Sequence, residues 1–233
     1  MLTAARIKQI RSLREKKFRD ETGLFVVEGE KMVREALDSG FDVVEIYREE
    51  EVGEAAMARL SLLSSPPPVL AVVRKPRYSA ADAPMTGLSL ALDSVRDPGN
   101  MGTIIRTADW FGVTTVFASF DSVDIYNPKV IQATMGGIFR CRLIYADIPE
   151  VCRSFRSAGL PVWGTFLDGK NIYGCDLGRN GLIVMGNESR GISPEVEAEV
   201  DSRILIPRAP GSRAESLNVA VATAVTLSVF SAR

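Results

Sequence analysis

No histidine occurs anywhere in the 233-residue chain. Ser-His-Asp hydrolysis, Cys-His proteolysis and imidazole-based metal sites are therefore excluded, and any proton acceptor must be a carboxylate, Lys, Tyr, Cys or part of the substrate. Cysteine is scarce: Cys141, Cys152 and Cys175 form no C-x-x-C pair and are odd in number. That pattern predicts reduced thiols in a cytoplasmic protein rather than a disulfide frame, and no metal site is expected. No apolar run follows the start, so no signal peptide is expected. The uncharged stretch between Glu215 and Arg233 is too short for a membrane span, which needs about 20 apolar residues. Neither a G-x-G-x-x-G turn opening a helix after a strand nor a G-x-x-x-x-G-K-[ST] loop is present, so dinucleotide and nucleoside-triphosphate sites lack their usual signature.

What is present is ordinary in proportion, with 46% hydrophobic and 24% charged residues, but unevenly distributed. Arg6, Lys8, Arg11, Arg14, Lys16, Lys17 and Arg19 face Glu15 alone, a segment of net +6 in a chain whose formal charge is −1. Such density suits phosphate binding or simply a solvated helix face. Ile7, Ile10 and Leu13 recur at helical spacing and predict one basic amphipathic helix over residues 3–20. Strands are expected at Leu24–Val27, Val43–Tyr47 and Val69–Val73, with helices from Glu30 to Ser39 and over an acidic patch at Glu49–Leu60. This reads as a small α/β unit, residues 1–76, followed by an Ala-, Ser- and Pro-rich linker at 77–87.

From residue 88 to 233 apolar strands, expected at Leu88–Leu92, Thr114–Ala118, Arg142–Tyr145, Val162–Thr165, Leu182–Met185 and Arg203–Ile206, alternate with helices, which predicts a mostly parallel sheet covered on both faces. Ligands in such sheets sit at the carboxyl ends of the strands, where the loops after Leu92, Met185 and Ile206 are expected to meet. The first loop, Asp93 to Gly102, leads into a helix on which Gly102, Arg106 and Asp109 leave the apolar stripe. A glycine one turn before Arg106 is expected to leave room for the guanidinium to reach an anionic group, against the plainer reading of an Arg106–Asp109 surface pair. The second loop, Gly186-Asn187-Glu188-Ser189-Arg190-Gly191, places a carboxylate between two glycines at a strand end. The third runs from Ile206 to Asn218 and opens a helix apolar nearly all round, which must be buried on more than one side. Ser216 and Asn218 in this loop are also suited to cap that helix.

Taken in order, Asn100-x-Gly102-x-x-x-Arg106 with Phe111-Gly112, then Gly186-Asn187-Glu188-x-x-Gly191, then Ile206-Pro207 with Glu215-Ser216-Leu217-Asn218-Val219 resemble the three motifs of SpoU-type (TrmH-like) RNA ribose 2′-O-methyltransferases of the SPOUT superfamily. Asn127-Pro128-Lys129-Val130 with Thr134-x-Gly136 is similar to the family's connecting segment, and Gly23-Leu24-Phe25 with Val27-Glu28-Gly29 to the substrate-binding domain often fused ahead of it. The spacing departs at Arg208–Ala214, which is longer than the family's usual loop and carries Arg208 and Arg213, expected to serve RNA.

The resemblance implies S-adenosylmethionine as methyl donor, a C-terminal trefoil knot, and a homodimer packed through the final helix. It implies catalytic roles for Asn100, Arg106, Glu188 and Asn218, and cofactor contacts at Thr165, Gly186, Ile206, Ser216 and Leu217. Arg14, Lys16, Lys17 and Arg19 would then dock structured RNA, either tRNA or rRNA. The alternative expectation is a catalytically silent RNA-binding or ribosome-assembly protein on the same fold.

Overall fold

The computed structural model describes residues 2–232. In chain order the elements are α1 (Ala4–Ser12), α2 (Lys16–Thr22), β1 (Leu24–Glu28), α3 (Glu30–Asp38), β2 (Val43–Arg48), α4 (Glu49–Val52), α5 (Glu54–Leu60), β3 (Val69–Arg74), β4 (Leu88–Leu92), α6 (Pro98–Trp110), β5 (Thr115–Ala118), α7 (Pro128–Thr134), β6 (Arg142–Tyr145), α8 (Ile148–Ser157), β7 (Val162–Asn171), β8 (Gly181–Met185), α9 (Pro194–Glu197), β9 (Ser202–Leu205) and α10 (Val219–Ser231). They form two compact units, one of Met1–Arg77 with Asp124–Arg140 and one of Tyr78–Val123 with Cys141–Arg233.

The first unit is built on a three-stranded antiparallel sheet ordered β1-β3-β2. Strand alternation sends Val26, Leu70 and Val72 to one face, where Ile7, Ile10 and Leu13 from the first helix and Met57 and Leu60 from α5 bury them. Phe25 points the other way and stacks on Tyr126, with ring centroids 4.8 Å apart, while Phe41 meets Phe139 edge-on at 5.1 Å. Tyr126 and Phe139 come from segment 124–140, which joins this unit although β4, α6 and β5 separate it from β3 in sequence.

A buried ion pair fastens that segment. Arg19 is 2% exposed, and its Nε donates to Asp124 Oδ2 at 2.9 Å while its Nη2 donates to the same oxygen. Its Nη1 donates to the carbonyls of Leu13 at 2.6 Å and Arg14 at 2.7 Å. Those are carbonyls that a continuing helix would have used, and the single helix expected over residues 3–20 is accordingly two, α1 and α2. The acidic helix expected at 49–60 is likewise two, parted at Gly53, whose φ is +83°.

The second unit carries a six-stranded sheet ordered β6-β5-β4-β8-β7-β9, parallel throughout. Ala91, Phe117, Ile144, Leu182 and Val184 on one face pack against Val151, Cys152 and Phe155 of α8 and Val196 of α9. On the opposite face Trp163 meets Phe230 of α10 at 4.8 Å, and α10 packs along α6, which buries Met101, Ile104, Ile105 and Ala108. Strand β7, expected to end at Thr165, runs on to Asn171 because it pairs again with β9 after a register shift between Thr165 and Lys170.

The Arg19–Asp124 pair gives a first prediction. Asp124→Ala strands a buried guanidinium and is expected to destabilise the protein by about 3–5 kcal/mol in chemical denaturation. A loss below about 1 kcal/mol would show that the pair behaves like an exposed one.

Candidate active site

Parallel strands all deliver their following loops to one end of the sheet, and here that brings the three sequence loops into a single hydrogen-bonded chain. Asn218 is the N-cap of α10: its Oδ1 accepts from the amides of Ala220 at 2.9 Å and Val221 at 3.3 Å. Its Nδ2 donates across to Asn100 Oδ1 at 2.8 Å. Asn100 Nδ2 in turn donates to Glu188 Oε1 at 3.1 Å. The capping role and the site role read from the sequence are thus both filled by the one side chain.

Glu188 collects further donors: the amide of Asp97 at 3.1 Å, that of Arg96 at 3.4 Å and Asn187 Nδ2 at 3.3 Å. Burial acts to raise its pKa, but its hydrogen bonds from backbone amides and Asn100 outweigh that and hold it below the ordinary carboxylate value. A carboxylate in that state is a poor general base and a good anchor. Gly186 allows the turn that presents it, since a Cβ there would lie 2.2 Å from the Gly191 carbonyl carbon and 2.3 Å from the Ile192 amide nitrogen.

Asp97 caps α6 by accepting from Asn100 N at 2.8 Å, and Pro98 fills the first helical turn, where its missing amide costs nothing. Arg106, on the same helix, is exposed and its side chain forms no hydrogen bond or ion pair with any described residue, so the Arg106–Asp109 pair weighed from the sequence is not made. Gly102 is buried on that helix together with Met101 and Ile105.

Of the expected cofactor residues, Gly186, Ile206, Ser216 and Leu217 lie beyond the ends of β8 and β9, while Thr165 sits inside β7 at its register shift. Thr165 Oγ1 donates to the Val184 carbonyl at 3.1 Å, next to Gly186, and Ile206 follows β9 half-buried. Ser216 is exposed and Leu217 is 48% exposed, in a loop in which every residue from 207 to 218 is exposed. A cleft of about 460 Å³ bounded by Pro161 and Asp201 lies at the amino ends of β7 and β9, away from this cluster, whereas one of about 260 Å³ beside Asp93 and Ser193 lies at the carboxyl end.

Of the residues expected to meet RNA, Arg14 donates to the Leu62 carbonyl at 2.7 Å, and Lys16 and Lys17 are exposed in pairs with Asp20 and Glu21. Arg19 is corrected: it is buried on Asp124, with no surface to offer a phosphate. Sequence reading missed Ser94, Asp97, Ser119, Asp121, Ser122 and Asn187, whose side chains hold the loop before α6. The available signal was the Ser119-x-Asp121-Ser122 run at a strand end, a pattern suited to bonding nearby backbone.

Because its folded pKa is depressed, Glu188 contributes stability that is full above the unfolded value of 4.5 and is lost as pH falls through the lowered one. Amide protection at Arg96 and Asp97 is therefore expected to drop as pH falls below 4.5 in the wild type but not in Glu188→Gln. Equal pH dependence in both proteins would remove Glu188 as the anchor.

The sequence profile of the SpoU rRNA Methylase family matches residues 87–228, and that of an MRM3-like substrate binding domain matches residues 4–75. Over 236 aligned residues the chain is 30% identical to the 23S rRNA (guanosine(2553)-2′-O)-methyltransferase RlmP of Bacillus subtilis, covering 94% of this chain and 93% of that one. The AdoMet-bound rRNA methyltransferase from Sinorhizobium meliloti is similar at a TM-score of 0.90 and 32% identity, over 99% of this chain and 95% of that one. The SpoU methyltransferase AviRb from Streptomyces viridochromogenes, in complex with AdoMet, gives 0.88 and 25%, over 99% and 98%. Agreement across both halves of the sequence makes the chain a member of the SpoU rRNA methylase family.

Proposed function

We propose that the protein transfers the methyl group of S-adenosylmethionine to a ribose 2′-hydroxyl of ribosomal RNA. The observation that carries this reading is the Glu188–Asn100–Asn218 chain, which joins three loops far apart in sequence, with an unpaired Arg106 side chain on the helix whose first turn holds Asn100. Ribosomal rather than transfer RNA is favoured by the relatives from Bacillus subtilis, Streptomyces viridochromogenes and Sinorhizobium meliloti, which match along most of their length and are named as rRNA methyltransferases. The trefoil knot of the SPOUT fold belongs to the same reading.

The residues present fit the cofactor. Thr165, Gly186, Ile206, Ser216 and Leu217 carry no charge, and the uncovered apolar surface of Leu217 suits the face of an adenine. Gly186, fixed against Gly191, offers backbone groups in a set position. When bound, the cofactor supplies an electrophilic methyl group. Much of the protein's work is then positioning the nucleophile, for which Asn100 and Asn218 orient the ribose. Arg106 stays protonated in any protein, so it acts on charge: it binds the neighbouring phosphate and stabilises the developing alkoxide, while that phosphate or water takes the proton.

In the first unit, Lys16 and Lys17 are free to trade their exposed partners for RNA phosphates, since such surface pairs contribute little. A cytoplasmic location accords with Cys141, Cys152 and Cys175 as thiols, none of them in a disulfide. A homodimer is part of the proposal. Helix α10 carries no charge and packs on α6, yet Val221 is 50% exposed and Trp110 on α6 is 83% exposed, apolar surface that a second copy would cover.

Arg106→Ala is expected to lower kcat by about 100–1,000-fold while the Kd for S-adenosylmethionine stays within about twofold. Retained turnover would overturn the assignment, and failure of the wild type to bind the cofactor in calorimetry would favour the silent RNA-binding alternative. Trp110→Glu with Val221→Glu is expected to convert a dimer to a monomer in light scattering, and an unchanged mass would place the dimer contact elsewhere.

A further inference from the structure

The loop from Ser94 to Asp97 is gripped from both sides. On one side stand Glu188 and Asn187: Glu188 takes the amides of Arg96 and Asp97, and Asn187 Nδ2 donates to the Ser94 carbonyl at 2.6 Å. On the other side stands the loop after β5. Ser119 Oγ accepts from Ser94 N at 2.8 Å, Ser122 Oγ accepts from Val95 N at 3.2 Å, and the Val95 carbonyl accepts from Val123 N at 2.9 Å.

Asp121 organises that second grip. The Ser94 hydroxyl donates to its Oδ2, Arg96 Nη2 donates to the same oxygen at 3.0 Å, and Ser119 Oγ donates to its Oδ1 at 2.7 Å. Because a hydroxyl has one proton, committing that of Ser119 to Asp121 leaves its oxygen as the acceptor that Ser94 N requires. These bonds, first from Ser94 and then from Ser119, hold the Asp121 carboxyl down to about 2, so it is ionised throughout any working range.

What the grip accomplishes is visible in the backbone. Ser94 has φ of +63°, and among the described residues only Met135 shares a positive φ without being glycine. A serine leaves that region readily unless its neighbours hold it. If Ser94 relaxed, the amides of Arg96 and Asp97 two and three residues on would swing away from Glu188, and Asn100, whose helix Asp97 caps, would move with them.

We propose that Asp121 is a positioning residue for methyl transfer: by holding Ser94 in the left-handed conformation it sets the backbone that fixes Glu188, Asn100 and Asn218 in register. It touches neither cofactor nor reacting atoms in this account. The inference rests on the reading of those three residues as the active site.

The test uses the full-length protein, labelled S-adenosylmethionine and unmodified ribosomal RNA transcribed in vitro. Asp121→Ala is expected to lower kcat about tenfold or more, with KM for RNA, cofactor Kd and Tm little changed. Asp121→Asn retains most of the rate, because its amide oxygen in the place of Oδ2 still accepts from Ser94 and Arg96, while its Nδ2 donates to Ser119 Oγ, which keeps a second lone pair for Ser94 N and can turn its proton to Ser122 Oγ. Ser94→Gly in the Asp121→Ala background restores much of the loss, because glycine holds a positive φ unaided. An unchanged kcat in Asp121→Ala, an equal loss in Asp121→Asn, or no rescue by Ser94→Gly each overturns the proposal. If the wild type binds cofactor but methylates no RNA, the functional reading fails separately. Amide protection at Arg96 and Asp97, lost in Asp121→Ala and regained with Ser94→Gly, then decides the positioning claim alone, and unchanged protection refutes it.

Discussion

A half-buried carboxylate stays charged only where donors replace the water it has lost, and the second unit is arranged around that requirement at Glu188. No single element could supply enough. The loop before α6 gives two amides, the first turn of α6 gives Asn100, and the preceding residue gives Asn187. Parallel strand order makes the gathering possible, since β4 and β8 are direct neighbours and release their loops side by side. The N-cap of α10 is then tied to the same carboxylate through one amide side chain, so the last helix, the first motif and the second motif share a common reference point.

That arrangement bears on chemistry in a chain without histidine. Glu188 is committed to its donors, and the guanidinium of Arg106 remains protonated, so neither is suited to accept a proton. The cluster is instead made of groups that orient and groups that complement negative charge. A methyl transfer to a hydroxyl is well served by such a site, because alignment of the nucleophile and stabilisation of the departing charge on oxygen carry much of the barrier reduction.

The parallel sheet was legible because strands covered on both faces must be apolar at nearly every position, and Leu88–Leu92, Arg142–Tyr145 and Gly181–Met185 lie close to where the pattern puts them. The three motif loops were legible as ordered motifs, and their meeting point followed from strand direction. Arg19 was not, because a cation in a basic run looks the same whether it faces water or a carboxylate 105 residues away. Its inward turn also split the helix that periodicity drew as continuous. Asp121 escaped for a related reason: its partners Ser94 and Arg96 are on another loop, and serine hydroxyls carry no periodic signal. Strand β7 was drawn short because its second pairing with β9 depends on a register shift, which pattern alone does not encode.

The first unit shows that sequence contiguity and structural completeness are different things. Residues 4–75 match a substrate-binding module, yet the sheet they form leaves Phe25 and Phe41 to be covered by Tyr126 and Phe139, and leaves Arg19 to be neutralised by Asp124. The module is therefore not a cassette that can be exchanged by cutting the chain near residue 77. A chimera that imports a foreign N-terminal half also inherits a foreign Asp124–Arg140 problem: the graft must bring its own covering segment, or be drawn from a relative whose aromatic and charged positions match those left behind. Replacement of the whole module in such chains accordingly requires paired change in two distant stretches of the sequence.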